Sequence, residues 1–171
     1  MNLISIREER PGDAAAIRAL NTAAFGRPVE GAIVDRLRES CPDLVSFVAV
    51  DGGRVAGHIL FSPVTVDAGP AGMGLAPLAV LPDYQRRGIG SALVEHGLAA
   101  LRGRGCPFIL LYGHPGYYPS FGFERASAHG LASHLGEVPD DAFMVLVLDP
   151  GAMKGVAGVT RLRAEFDAAG G

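Results

Sequence analysis

Apolar and polar positions alternate from Leu3 to Arg7, the period of a strand with one buried face. Pro11 and Gly12 break the run ahead of Asp13, a residue type suited to capping a helix. Ala16, Ile17, Leu20, Ala24 and Phe25 then recur at helical spacing. Gly26 to Pro28 interrupts that pattern, and Ile33, Val34, Leu37 and Arg38 resume it, so the pattern predicts two short helices flanking a loop. Runs at 44–50 and 54–66, joined by Asp51-Gly52-Gly53, read as an antiparallel hairpin, and a turn at 67–72 leads to a third run at 75–81. After Pro82 the period changes. Ile89, Ala92, Leu93, His96, Gly97, Ala100 and Leu101 share one helical face, with Arg102 and Arg104 near the negative carboxyl end and Gly103 and Gly105 as terminators. The unbroken apolar run 108–112 fits a strand buried on both faces, so strand, helix and strand predict a right-handed parallel crossover. A Gly/Pro/Tyr-rich segment, 114–123, follows, then a polar stretch at 124–141 and a late strand at 143–148. The tail from Gly151 has few apolar anchors, and its end at Ala168 to Gly171 is expected to fray.

With 171 residues, 49% of them hydrophobic and 19% charged, the chain has the composition of one soluble globular domain, able to build a core without disulfides or a structural metal. No internal repeat or linker divides residues 1–171. The formal net charge of -3 is too balanced for a nucleic-acid coat or a membrane-surface helix, so an anionic ligand must be met locally. No apolar run approaches the ~20 residues of a membrane span, and the amino terminus lacks the pattern of an export signal, so a cytoplasmic location is expected. Cys41 and Cys106 each precede a proline and read as reduced thiols. Pairing Cys106 with His114 gives a nucleophile and base without a third group to orient them. The five histidines show no ligand spacing, so no metal is expected.

The chemistry concentrates in the segment from Leu78 to Gly90, where a buried strand passes through a short loop into a helix. N–H groups at a helix amino terminus lack intrahelical partners and carry about half a positive charge, a geometry ready for phosphate. Gly88 and Gly90 leave the approach open, while Arg86 and Arg87 add two cations suited to a pyrophosphate. A nucleotide P-loop would need Lys-Ser/Thr after the last glycine, where Ser91-Ala92 stands. A dinucleotide fingerprint would need glycine or alanine at Leu93 and an acid about twenty residues on, where the chain is apolar. Both patterns fail.

What remains, Gln85-x-x-Gly88-x-Gly90 after a strand ending Leu-Ala-Val, resembles the pyrophosphate loop of the GCN5-related N-acetyltransferases (GNAT). The element order over residues 3–148 resembles theirs too. So does Tyr118, four residues before Gly122-Phe123. The segment 113–123, Phe25-Gly26-Arg27-Pro28 and the stretch 144–152 look like the bacterial YhbS-like branch of that family. The resemblance implies a mixed α/β (α+β) fold: a mostly antiparallel central sheet, helices on both faces and a splayed parallel strand pair, with 149–171 as an extended tail.

It also implies acetyl-CoA as cosubstrate, held by Leu78, Ala79, Val80, Gln85, Arg86, Arg87, Gly88, Ile89, Gly90 and Ser91. The acetyl group would pass directly to the amine of a small molecule or peptide. Direct transfer needs an oxyanion donor, a base for the amine and a proton for the thiolate. The backbone N–H of Val80, Glu30 between the first two helices, and Tyr118 are the respective candidates. His58 and His114 stand behind Glu30, and Tyr117 competes with Tyr118. Pro115, Gly116 and Pro119 permit only a turn where the family usually has a helix. A non-catalytic acyl-CoA-binding or sensing module is the alternative, and homodimer formation is compatible with either reading.

Overall fold

The computed structural model describes residues 4–169, so the expectations for Leu3 and for Gly170 and Gly171 lie outside the described residues. The chain divides into two compact units, Met1–Phe61 with Ala76–Ala99 and Ala164–Gly171, and Ser62–Leu75 with Ala100–Arg163. Two strands and a helix run from one unit into the other, namely β3 (Arg54–Val66), β4 (Gly72–Val80) and α3 (Ile89–Gly103).

In the first unit β1 (Ile4–Glu8) pairs antiparallel with β2 (Val45–Asp51), β2 with β3, and β3 neighbours β4. The hairpin register, Asp51 opposite Arg54, is set by the two-glycine turn. Successive strand residues face opposite ways, and both faces of this sheet are covered. Val48 and Leu60 join Ile17 of α1 (Ala14–Phe25) and Ile33, Val34 and Leu37 of α2 (Val29–Ser40) in one buried cluster. Phe47, on the other face, meets the His96 ring of α3 edge-on with centroids 4.6 Å apart. Val94 and Leu98 are buried on α3 along with Leu93, whereas Ala92 is exposed, so the apolar stripe lies slightly round the helix from its expected position.

The second unit holds the order β3-β4-β5-β8-β6, with β9 against β3 and β7 against β9. Its strands are β5 (Phe108–Tyr112), β6 (Glu124–Arg125), β7 (Leu131–Ser133), β8 (Phe143–Val147) and β9 (Gly158–Arg161). The expected parallel pairing joins β4 to β5 at Met73–Ile109 and Gly74–Leu110, and β8 lies antiparallel to β5. Phe108, Leu110, Phe143 and Val145 make the centre of this unit's core.

Two expectations are corrected and one unassigned stretch gains structure. Asp13 does not cap α1 with its side chain. Arg7 holds its carboxylate through two hydrogen bonds of 2.7 and 3.0 Å, and the carboxylate accepts the Arg10 N–H at 2.7 Å. The polar stretch 124–141 contains two strands, β6 and β7. The tail is anchored, because Met153, Val156 and Leu162 pack on the second unit's core and Phe166 on the α1–α2 cluster.

A buried polar chain crosses the first unit. Arg38 donates to both oxygens of Glu9 at 2.9 Å, Glu9 accepts from Ser46 Oγ at 2.9 Å, and His58 Nε2 lies 3.0 Å from that hydroxyl. Asn21 Nδ2 contacts His58 Nδ1 at 3.3 Å and donates to Ile17 O at 3.0 Å. Every contact is satisfied in one direction if His58 is neutral and protonated on Nε2. Burial opposes protonation of the imidazole, the Glu9 charge favours it, and Arg38 opposes it, leaving its pKa at about 4 instead of 6.5. Burial alone would raise the Glu9 carboxyl, but the bonds from Arg38 and Ser46 hold it below its ordinary value.

An unfolded chain takes up the His58 proton near pH 6.5, whereas the folded protein resists until about pH 4. Between those values the unfolded state binds more protons. Stability is therefore full above the upper value and falls by up to about 3 kcal/mol as the pH drops through the window. Denaturant titrations at about pH 7.5 and about pH 5 should show about 2 kcal/mol of this loss, and His58→Gln should shrink the difference between them.

Candidate functional site

β4 ends at Val80, Pro82–Tyr84 makes one 3-10 turn, and α3 starts at Ile89. Leu81 donates its N–H to Ala56 O on β3 at 2.9 Å. Period-two alternation therefore turns the N–H and C=O of Val80 to the opposite edge of β4. The Val80 carbonyl is claimed by Gln85, whose Nε2 donates to it at 3.1 Å and pins the loop to the strand end. The Val80 N–H on that same edge is the donor expected from the sequence, and Ala79 beside it is buried.

Ala92 donates to Gly88 O at 3.0 Å. The N–H groups of Ile89 and Gly90 thus belong to the first turn of α3, where the macrodipole is positive. Gly88 has φ +81° and nothing within 4 Å of where a β-carbon would stand, so the helix entrance is open. Gln85, Arg86, Arg87 and Gly88 are all exposed. Arg86 holds φ +64°, a conformation costing an L-residue about 1–2 kcal/mol. Tyr84 packs beside the loop with two partners: its hydroxyl donates to Asp51 Oδ2 at 2.7 Å, and its ring carries the Arg87 guanidinium 5.4 Å from its centroid.

Glu30 stands in the first turn of α2 and not in the preceding loop, and Arg27 Nε donates to its two oxygens at 2.9 and 3.2 Å. His58 is fully buried in the chain described above, and His114 is exposed. In the second unit, Tyr118 opens a 3-10 turn, Tyr118–Phe121, as the surrounding prolines require. Its ring lies flat enough on Gly113 that a β-carbon there would stand 2.5 Å from Cε2. Tyr117 and Phe123 meet the same ring edge-on at 5.0 and 5.9 Å. Burial, with a smaller contribution from Tyr117, pushes the Tyr118 phenol up to about 12. Cys106 donates to Phe108 O at 3.2 Å, and burial raises its thiol pKa despite hydrogen bonds from the backbone side that favour the thiolate. Both observations leave it a weak nucleophile.

Sequence reading did not find the Arg54–Tyr84 contact, in which the Arg54 guanidinium lies 5.5 Å from the ring centroid. Arg54 is thirty residues from Tyr84 in the sequence, and only the pairing of β3 with β4 brings them together.

A strand whose last N–H turns away from β3, followed by a glycine loop at a helix amino terminus, is the arrangement that the sequence resemblance to the acetyltransferases implies, and comparison with known proteins agrees. Residues 14–123 match the Acetyltransferase (GNAT) family model, and the chain belongs to that family. It is 36% identical over 164 residues to the Escherichia coli N-acetyltransferase YhbS, covering 95% of this chain and 98% of that one. It is 41% identical over 117 residues to the Escherichia coli N-acetyltransferase YjhQ, spanning 66% of this chain and 65% of that protein. Among solved structures, YhbS from Escherichia coli in complex with CoA superposes with TM-score 0.92 at 35% identity, over 98% of this chain and 93% of that one. A GNAT family acetyltransferase from Brucella melitensis in complex with acetyl-CoA gives TM-score 0.81 at 38% identity, over 98% and 100%. The protein is an N-acetyltransferase, and enzymes of this family act on amine acceptors.

Proposed function

We propose that the chain moves the acetyl group of acetyl-CoA directly to the amine of a small molecule or peptide. The observation that carries this reading is the open amino terminus of α3 with its left-handed Gly88, continuous with a strand whose Val80 N–H faces away from β3. Backbone N–H groups from Arg86 to Gly90 take the pyrophosphate, with Ser91 completing the turn and Leu78 to Val80 forming the strand beside the pantetheine arm. The Escherichia coli and Brucella melitensis relatives are in complex with CoA and acetyl-CoA, which supports acetyl-CoA as the cosubstrate of this chain.

The neutral amine attacks the thioester carbonyl carbon, and the Val80 N–H donates to the oxyanion so formed. Collapse breaks the carbon–sulfur bond, and Tyr118 donates its hydroxyl proton or a hydrogen bond to the departing sulfur. Glu30 is the candidate acceptor for the proton released by the amine. Arg27 must first release one of its oxygens, since both are now paired. An acetyl-CoA screen over an amine library, read by release of free thiol, tests the activity. No amine accelerating thiol release above hydrolysis would overturn it.

Cys106 takes no part in this sequence. Cys106→Ser should keep both turnover and coenzyme affinity, and intact-mass measurement during turnover should find no acetyl adduct on Cys106.

A further inference from the structure

Helix α1 crosses the sheet of the first unit strand by strand. Asp13, immediately before the helix, is held by Arg7 of β1, Ile17 shares a buried cluster with Val48 of β2, and Asn21 reaches His58 of β3. These residues recur every four positions, about 6 Å apart along the helix axis, close to the ~4.8 Å between neighbouring strands. The next in the series is Phe25, one step further toward β4, the strand that ends at Val80. Asp13 is 8% exposed and Ile17 and Asn21 are 0% exposed, whereas Phe25 is 41% exposed. The stripe that the sheet covers thus ends in an uncovered aromatic ring. Ala23, two residues before it, and Leu81, next to Val80, border one open cleft of about 560 Å³, so the last turn of α1 lies beside the end of β4.

The chain then turns sharply into α2. Gly26 closes α1 in the left-handed conformation at φ +70°, its N–H donating to Thr22 O at 2.9 Å, and Pro28 precedes the first turn of α2. Gly31 packs that turn against α1 so closely that a β-carbon would stand 3.1 Å from Arg18 O. The backbones of Arg27 and Glu30 are therefore fixed next to Phe25. The Arg27 side chain is 58% exposed and that of Glu30 14%, and Arg27 Nε engages both carboxylate oxygens. A bare ammonium approaching Glu30 would put two cations on one carboxylate. A zwitterion avoids this: its ammonium meets Glu30, its carboxylate meets Arg27, and one internal ion pair becomes two with every charge matched. We infer that the acceptor is an α-amino acid with an apolar side chain, its carboxylate held by Arg27, its amine delivered to Glu30 and its side chain resting on Phe25. The inference rests on the reading that Glu30 accepts the proton released by the amine. Binding of the carboxylate draws Arg27 off Glu30, and so frees the oxygen that must take that proton.

Two acceptors that differ only in the carboxylate, L-phenylalanine and phenethylamine, provide the test, each with acetyl-CoA and the full chain and read by release of free thiol. L-Phenylalanine should show a kcat/KM higher by about 10- to 100-fold, the worth of a hydrogen bond between charged groups. Arg27→Gln should shrink that ratio to near one by raising KM for the amino acid, and Arg27→Lys should recover part of it. Phe25→Ala, at an exposed position, should slow L-phenylalanine more than L-alanine. Equal kcat/KM for the amino acid and the amine, or a ratio that Arg27→Gln leaves unchanged, would overturn the inference. Equal losses for the two amino acids in Phe25→Ala would remove the apolar side chain from it. If neither probe nor any other amine accelerates thiol release, the transfer reading falls as well. If amines are acetylated without regard to a carboxylate, transfer stands and the amino-acid assignment alone is wrong.

Discussion

Gly88→Asp should weaken coenzyme A binding by about a hundredfold or more while the protein still folds. A carboxylate placed at the mouth of α3 opposes a pyrophosphate at close range, and like-charge contacts of this kind cost several kcal/mol. It also removes the open approach that the absent β-carbon provides. The fold should survive, because nothing lies within 4 Å of the new β-carbon; the remaining penalty is the left-handed backbone at φ +81°, about 1–2 kcal/mol. Gly88→Ala carries the same backbone penalty without the charge. Calorimetry on the pair therefore separates strain from electrostatics: a large loss with Asp and a small one with Ala is expected. Unchanged affinity in the Asp variant would remove the loop from coenzyme binding.

Tyr118→Phe should lower the catalytic rate by about 10²- to 10⁴-fold and leave acetyl-CoA affinity nearly unaltered. The phenyl ring preserves the contact with Gly113 and the edge-on contacts with Tyr117 and Phe123, so packing is held constant and only the hydroxyl is lost. The raised pKa of about 12 keeps the phenol protonated through the working range. It also lies well above the ~8.5 of a free thiol, which favours a hydrogen bond to sulfur, or donation concerted with its departure, over a completed proton transfer beforehand. A pH profile of the wild type should show no alkaline fall attributable to this residue until the pH nears that value. If Tyr118→Phe keeps the wild-type rate where chemistry limits turnover, the ring has a packing role only. Tyr117→Phe is then the informative comparison.

The elements that decide the fold were legible because their signals are local. The Asp51-Gly52-Gly53 turn specified its hairpin, and the change from strand to helix period after Pro82 located β4, the loop and α3. What escaped reading depends on partners far away in the sequence. Three-residue β7 and four-residue β9 carry too little periodicity to register alone, yet they pair with each other in parallel, Leu131 opposite Gly158. Phe166 stands among acidic and small residues and gives no stripe, yet it packs on the α1–α2 cluster. The site divides in the same way. The start of α3 and the open Gly88 beside it followed from glycine spacing, because spacing is enough to open a helix end. The burial of His58 and the Arg27–Glu30 pair did not, because each is set by which side chains surround it.

The docking of Phe166 bears on how the protein is made. Synthesis delivers α1, α2 and the first three strands early, but the segment 164–169 that covers part of their apolar cluster belongs to the same unit and leaves the ribosome much later. During that interval Ile33, Val34 and Leu37 have an incomplete cover. The nascent protein accordingly presents an apolar surface that other chains or a chaperone can occupy, and release of residues 164–169 closes it.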